Sequence, residues 1–146
     1  MTTPMDTHSH NRETDTLART IFGEARGETV RGKEAVAAVI INRVKRAQRR
    51  GHYWWGSTPE GVCKRAWQFS CWNENDPNRS KIIQVTDSNK MFQTCLRVAH
   101  RAINGTLKDP TFGATHYHVK GTFPPWARGH APRIEIGRHL FYVGIE

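Results

Sequence analysis

Three cysteines in 146 residues are too few for a disulfide framework. Cys63 and Cys71 could pair across a short loop, and Cys95 falls on a helix face and reads as core. No Cys-x-x-Cys pair occurs, so the tight ligand spacing of structural zinc is missing. No apolar run reaches the roughly 18 residues that a membrane-spanning helix requires. Met1 to His10 holds no basic stretch followed by an apolar one, so no secretory signal is read there. Repeats, internal linkers and low-complexity tracts are likewise missing. Acidic residues are scarce: 13 Asp and Glu stand against 22 Lys and Arg, a net charge of +9.

That excess favours anionic partners such as nucleic acid, anionic membrane surfaces or the acidic polymers of a bacterial wall. Part of it is concentrated in Arg43-Val44-Lys45-Arg46-Ala47-Gln48-Arg49-Arg50. The cluster suits phosphate binding, or the solvated C-terminal end of a helix, where cations complement the dipole. The length fits one domain with a proper core. Residues 1–13 are polar and read as a flexible tail, leaving 14–146 as a single domain.

Thr14 or Asp15 is placed to cap a first helix running to about Arg26, with Leu17, Ala18, Ile21, Phe22 and Ala25 inward. A second helix runs from Gly32 to about Arg46, carrying Ala35, Val36, Val39, Ile40 and Val44 at helical spacing. Asn42 follows that apolar run and is either a satisfied core amide or a substrate contact. Thr58-Pro59-Glu60 opens a short helix through Arg65. Asn75-Asp76-Pro77-Asn78 is a turn. Asp87 or Ser88 caps a long helix burying Met91, Phe92, Cys95, Val98, Ala99, Ala102 and Ile103, ended by Gly105. Residues 115–119 alternate as a strand does, and 133–143 read as a hairpin turned at Gly137-Arg138. The expected class is α+β: four helices, then a small C-terminal antiparallel sheet.

The most informative stretch is Gly23-Glu24-Ala25-Arg26-Gly27-Glu28. At about 3.6 residues per turn, Glu24 shares a face with Leu17 and Ile21. A carboxylate on an apolar stripe keeps its proton to higher pH, as a general acid must. The competing reading is an acidic i,i+4 pair on the surface. Trp54, Trp55, Trp67, Trp72 and Trp126 fall in segments that read as loops; such rings either stack on sugars or cover a small core.

Residues 17–28 and 32–44 resemble the bacterial cell-wall hydrolases of the spore-cortex-lytic (SleB) type. The likeness continues through Trp67-Gln68-Phe69-Ser70, Ala114-Thr115-His116-Tyr117, Pro125-Trp126 and Ile136-Gly137-Arg138-His139-Leu140-Phe141-Tyr142. The resemblance implies a lysozyme-like fold and cleavage of peptidoglycan between N-acetylmuramic acid and N-acetylglucosamine, with no metal or cofactor. It matches Glu24 to the catalytic acid, with Glu28 in support, holding Arg26 or Arg43 or orienting water or sugar. Gln68, Ser70, His116 and Tyr117 would line the cleft, with Phe69, Trp126 and Asn42 as further substrate contacts. No second carboxylate is placed as well as Glu24, which favours a lytic transglycosylase over a hydrolytic muramidase. A monomer is expected, acting on the wall as a phage-type or otherwise released lysin, with peptidoglycan as partner, no specific nucleic acid and no membrane insertion.

Two other classes compete. A nucleic-acid-binding module would use the charge and the rings but gives neither glutamate a task. A zinc amidase would use His116 and His118, which project from one face of a strand, with His130 or His139.

Overall fold

The computed structural model describes residues 4–51, 53–65 and 68–146, with side chains from residue 11 onward. Five helices precede a three-stranded antiparallel sheet, as the α+β reading expects except for one added helix. Helix α1 spans Pro4–Ala25 and so begins ahead of the cap expected at Thr14 or Asp15. Its polar extension is held by tertiary partners: Arg12 pairs with Glu60 at 3.4 Å, and Glu13 accepts from the Glu60 backbone N–H. Helix α2, Val30–Arg49, is capped by Thr29, which accepts from the Gly32 N–H at 3.2 Å. Helix α3, Pro59–Lys64, follows the expected Thr58 cap with proline in its first turn.

Helix α4, Asn78–Gln84, was not expected from sequence. Seven residues with Ile82 alone buried carry too little periodicity to read. Helix α5, Lys90–Asn104, is capped by Asn89 rather than Asp87 or Ser88, and Met91 is exposed rather than buried. Among the described residues no helix is long and apolar enough to cross a membrane.

The main core gathers Leu17, Ile21 and Phe22 of α1, Val36 and Ile40 of α2, and Phe92, Val98 and Ala99 of α5. Each fully buried Leu, Ile or Phe contributes about 2 kcal/mol. Phe22 and Phe92 meet edge-to-face at 5.9 Å. Consecutive burial of Ala35, Val36, Ala37 and Ala38 lets α2 contact the helices on one side and the sheet on the other. Strands β1 (His116–Val119), β2 (Ile134–Ile136) and β3 (His139–Tyr142) lie in the order β1-β3-β2. Ile136 and Phe141 pack on Ala35 and Val39, seating the sheet on α2.

Glu28 fixes the sheet against the helices. Its Oε1 accepts from the Arg138 backbone N–H at 3.0 Å and its Oε2 from Arg138 Nε at 3.1 Å. The segment carrying Glu28 is held in turn by Lys33, whose Nζ donates to the Arg26 and Glu28 carbonyls. Gly137, at φ 58°, makes the hairpin turn, and a Cβ there would fall 2.0 Å from Glu28 Oε1. Gly137→Ala therefore combines a left-handed backbone with loss of the Glu28 contact, and is expected to cost about 2–4 kcal/mol. Urea denaturation checks this; an unchanged midpoint would show that the hairpin does not depend on the clasp.

Candidate active site

Glu24 stands in the last turn of α1, where the helix ends against β1 and the 3-10 turn Ser70–Trp72. Gly23 permits that approach: a Cβ there would lie 2.7 Å from Cys71 Cβ and 2.8 Å from its sulfur. The Tyr117 hydroxyl donates to Glu24 Oε1 at 2.7 Å, and the Cys71 thiol is a second donor. Burial nevertheless raises the Glu24 pKa, outweighing those two donors and the attraction of Arg43, while the charge of Asp76 adds to the rise. Tyr117 is driven well above its ordinary value by burial and by Glu24 itself, so it remains a phenol and a donor. The apolar-stripe reading of Glu24 thus matches its setting beside Leu17 and Ile21, both fully buried.

The positive charge near Glu24 comes from Arg43, a member of the basic run that reads from sequence as a phosphate site or a solvated helix end. Arg43 is buried instead. Its Nε donates to the Thr115 carbonyl at 2.7 Å and its Nη1 to Gln68 Oε1 at 2.9 Å. Its guanidinium lies 5.2 Å from the Trp55 and Phe69 ring centroids. Burial lowers its pKa to about 10, which leaves it cationic at neutral pH. A signal for this was available: Arg43 follows Val36 and Val39 by seven and four residues, on the buried stripe.

The remaining predicted residues divide. Gln68 and Phe69 meet Arg43, with Phe69 buried beneath it, and Ser70 opens the 3-10 turn with its side chain exposed. Trp67 lies outside the described residues. His116 and Tyr117 are neighbours on β1, so they project to opposite faces, and Tyr117 is the one that reaches Glu24. His116 sits between Trp55 and Trp126, at centroid distances of 5.9 and 5.0 Å. Burial, then Arg43 and Arg46, lower its pKa to about 4. Trp126 is half-buried against Tyr142 and His118.

Asn42 donates to Asp109 Oδ2 and to the Ala114 carbonyl, each at 2.9 Å. It thereby fixes the loop leading into β1, which is the core-amide alternative. Glu28 holds Arg138, not Arg26 or Arg43, and lies 3.7 Å from His139. Burial would raise the Glu28 pKa, but the Arg138 N–H and guanidinium, with His139, bring it below the ordinary value. Sequence reasoning missed Cys71 and Asp76 as neighbours of Glu24; their only signal was position in the Trp72 loop. Among the described residues no three His, Cys, Asp or Glu side chains gather as metal ligands, and His118 is hydrogen-bonded to the Tyr142 hydroxyl at 2.8 Å. The three cysteines are free and buried.

Glu24, whose pKa burial raises, thus receives a phenol beside a buried cation on a helical domain with a small sheet. The chain belongs to the Cell Wall Hydrolase family, whose model matches residues 27–142. That match begins after Glu24, so the case for Glu24 rests on its geometry. The spore cortex-lytic enzyme of Halalkalibacterium halodurans is 32% identical over 129 residues, 86% of this chain and 33% of the relative. The catalytic domain of the Bacillus cereus SleB protein superposes with a TM-score of 0.71 at 30% identity, covering 91% of each chain. The catalytic domain of the germination-specific lytic transglycosylase SleB from Bacillus anthracis gives 0.68 at 30% identity, covering 90% of this chain and 93% of that one. The chain spans about a third to two fifths of the length of the curated relatives it matches.

Two outcomes test the site. Tyr117→Phe removes a donor that favours the Glu24 carboxylate, so the pH at which activity is lost on the alkaline side should rise. A limb that stays in place in the pH–rate profile would remove Tyr117 from the proton's environment. Glu28 has a folded pKa below its unfolded one. Its contribution is therefore present above the unfolded value and lost as pH falls through the folded one. Glu28→Gln should cost about 1–3 kcal/mol near neutral pH and flatten the acid side of the stability curve. Urea titrations at several pH values check the sign; equal losses at pH 3 and pH 7 would contradict it.

Proposed function

We infer that this chain cleaves peptidoglycan glycan strands between N-acetylmuramic acid and N-acetylglucosamine, with Glu24 as general acid and then base. The observation that carries this is the Tyr117–Glu24 hydrogen bond at 2.7 Å on a carboxyl group whose pKa burial raises. Tyr117 occupies Oε1 as donor, which leaves the proton to the second oxygen. That proton passes to the glycosidic oxygen as the bond to the anomeric carbon breaks and an oxocarbenium-like state develops. The charge of Arg43 favours the carboxylate formed at that moment.

In the transglycosylase outcome the muramic acid C6 hydroxyl then attacks the anomeric carbon and gives its proton to Glu24. The acid is regenerated and the product is a 1,6-anhydro sugar. Support comes from what the neighbouring carboxylates already do. Glu28 is committed to the hairpin, and Asp76 Oδ1 accepts the Asn78 N–H at 2.8 Å at the start of α4. Activation of water, the hydrolytic route, would require one of them or another carboxylate to face the anomeric carbon. Asp76, whose charge acts on Glu24, is the group that would serve that second reading.

Glu24→Gln should lower muropeptide release from purified peptidoglycan by about a thousandfold while circular dichroism stays unchanged. Mass spectrometry of the parent digest should show products lighter by one water than the reducing sugars. Full activity in the variant would remove Glu24 from the chemistry, and reducing ends alone would favour the hydrolytic route.

A further inference from the structure

The face of β1 turned away from Glu24 carries a second constellation with no part in the chemistry above. Trp54, Trp55 and His116 follow one another, with centroids 5.6 and 5.9 Å apart. Trp55 is buried and anchored, its Nε1 donating to the Arg43 carbonyl at 3.0 Å. Trp54 is 51% exposed, yet it is braced by Trp55 and by Tyr53, whose centroid is 6.3 Å away. An exposed indole held from behind by two rings has little conformational freedom to lose on binding.

Cations stack on the two rings that brace Trp54. Arg43 and Arg46 of α2 and Arg50, which caps its C-terminal end, recur at i, i+3 and i+7 along one face. Arg46 stacks on Trp55 at 5.4 Å, with its Nη1 donating to the Ile145 carbonyl at 2.7 Å and its other N–H groups left to a ligand, and Arg50 stacks on Tyr53 at 5.1 Å. Among the described residues the carboxylate that meets this row is Glu146, 3.8 Å from Arg50 with its own side chain 89% exposed, too loose a pair to neutralise it. A flat apolar face beside unneutralised guanidinium groups is complementary to a sugar ring bearing an anionic substituent.

We propose that Trp54, with Arg46 and Arg50, forms a second, non-catalytic binding surface for peptidoglycan, stacking a sugar on the indole and taking peptide carboxylates on the arginines. The proposal rests on the wall-polymer reading of the catalytic site only in its choice of ligand. Glycan is favoured over single-stranded nucleic acid because, among the described residues at this face, Trp54 is the open ring, whereas a base-stacking track presents successive open rings. The surface gives the domain a hold on an insoluble polymer apart from the cleft.

The test uses the full chain carrying Glu24→Gln, so that bound polymer is not consumed, and sacculi freed of phosphate-bearing polymers. Trp54→Ala should weaken co-sedimentation about tenfold, Trp54→Phe should retain most of it, and Arg50→Gln should weaken it and flatten its salt dependence. With Glu24 intact, Trp54→Ala should lose activity on sacculi but keep that on short soluble glycan fragments. Unchanged binding by Trp54→Ala overturns the proposal. So does an equal loss on short fragments, which would place the ring in the cleft, or Trp54-dependent binding of an oligonucleotide that displaces sacculi. Trp54-dependent binding by a parent that releases no muropeptides would instead sink the catalytic reading and leave this surface standing.

Discussion

The Glu28 carboxylate, received by the backbone and side chain of Arg138, is the contact on which the rest of the site depends. It joins the α1–α2 corner to a hairpin 110 residues further along the chain. Ile136 and Phe141 also seat the sheet on α2, through apolar contacts with Ala35 and Val39. Those contacts fix distance but not rotation, because apolar packing is non-directional. Two hydrogen bonds to a nearly fully buried carboxylate supply the direction. Strand β3, led by this turn, pairs with β1 and so sets where Tyr117 points.

Glu24 and Glu28 are four residues apart and electrostatically opposite. Both lose water on folding. Glu28 recovers through a backbone N–H, a guanidinium and a nearby imidazole, so its charged form is favoured. Glu24 receives a phenol and a thiol, which are neutral and weaker, and it shares its surroundings with Asp76. The opposite pKa shifts of Glu24 and Glu28 thus reflect a difference between donor sets, not a difference in burial alone. Arg43 moderates it from a position tied to Thr115 and Gln68, which keeps the cation close without forming a direct ion pair among the described residues. The Asp109 carboxylate, held by Thr111, Gly113 and Asn42, secures the approach to β1 from the other side.

Much of this was legible where the physics is local. Helices α2 and α5 repeat their apolar residues over four turns or more, and the Gly137-Arg138 hairpin carries its own turn chemistry. Glu24 declared itself by sharing a face with Leu17 and Ile21. Long-range partnerships were not legible. Arg43 looked like one more cation in a basic run because the carbonyl and amide that hold it lie 72 and 25 residues away. Glu28 was granted a supporting role but the wrong partner, for the same reason. Strand alternation alone would have separated His116 from Tyr117, yet their adjacency in one recognisable block drew both toward the cleft. Among the described tryptophans, which the sequence reads as either stacking on sugars or covering a small core, Trp55 is buried, Trp72 is locked to Thr20 at 2.8 Å, and Trp54 is open. Helix α4 is held by one buried isoleucine and by Arg19, whose guanidinium donates to the Ile82, Ile83 and Val85 carbonyls, a tertiary cap that no short-range pattern encodes.

One fold moves the pKa values of two neighbouring glutamates in opposite directions. A site-resolved carbon NMR titration of the Glu24 and Glu28 side-chain carboxyl groups in the intact chain measures it without recourse to activity. Glu24 should titrate above the ordinary glutamate range and Glu28 below it. Glu24 titrating at or below the ordinary value, or the two groups titrating together, would contradict the account.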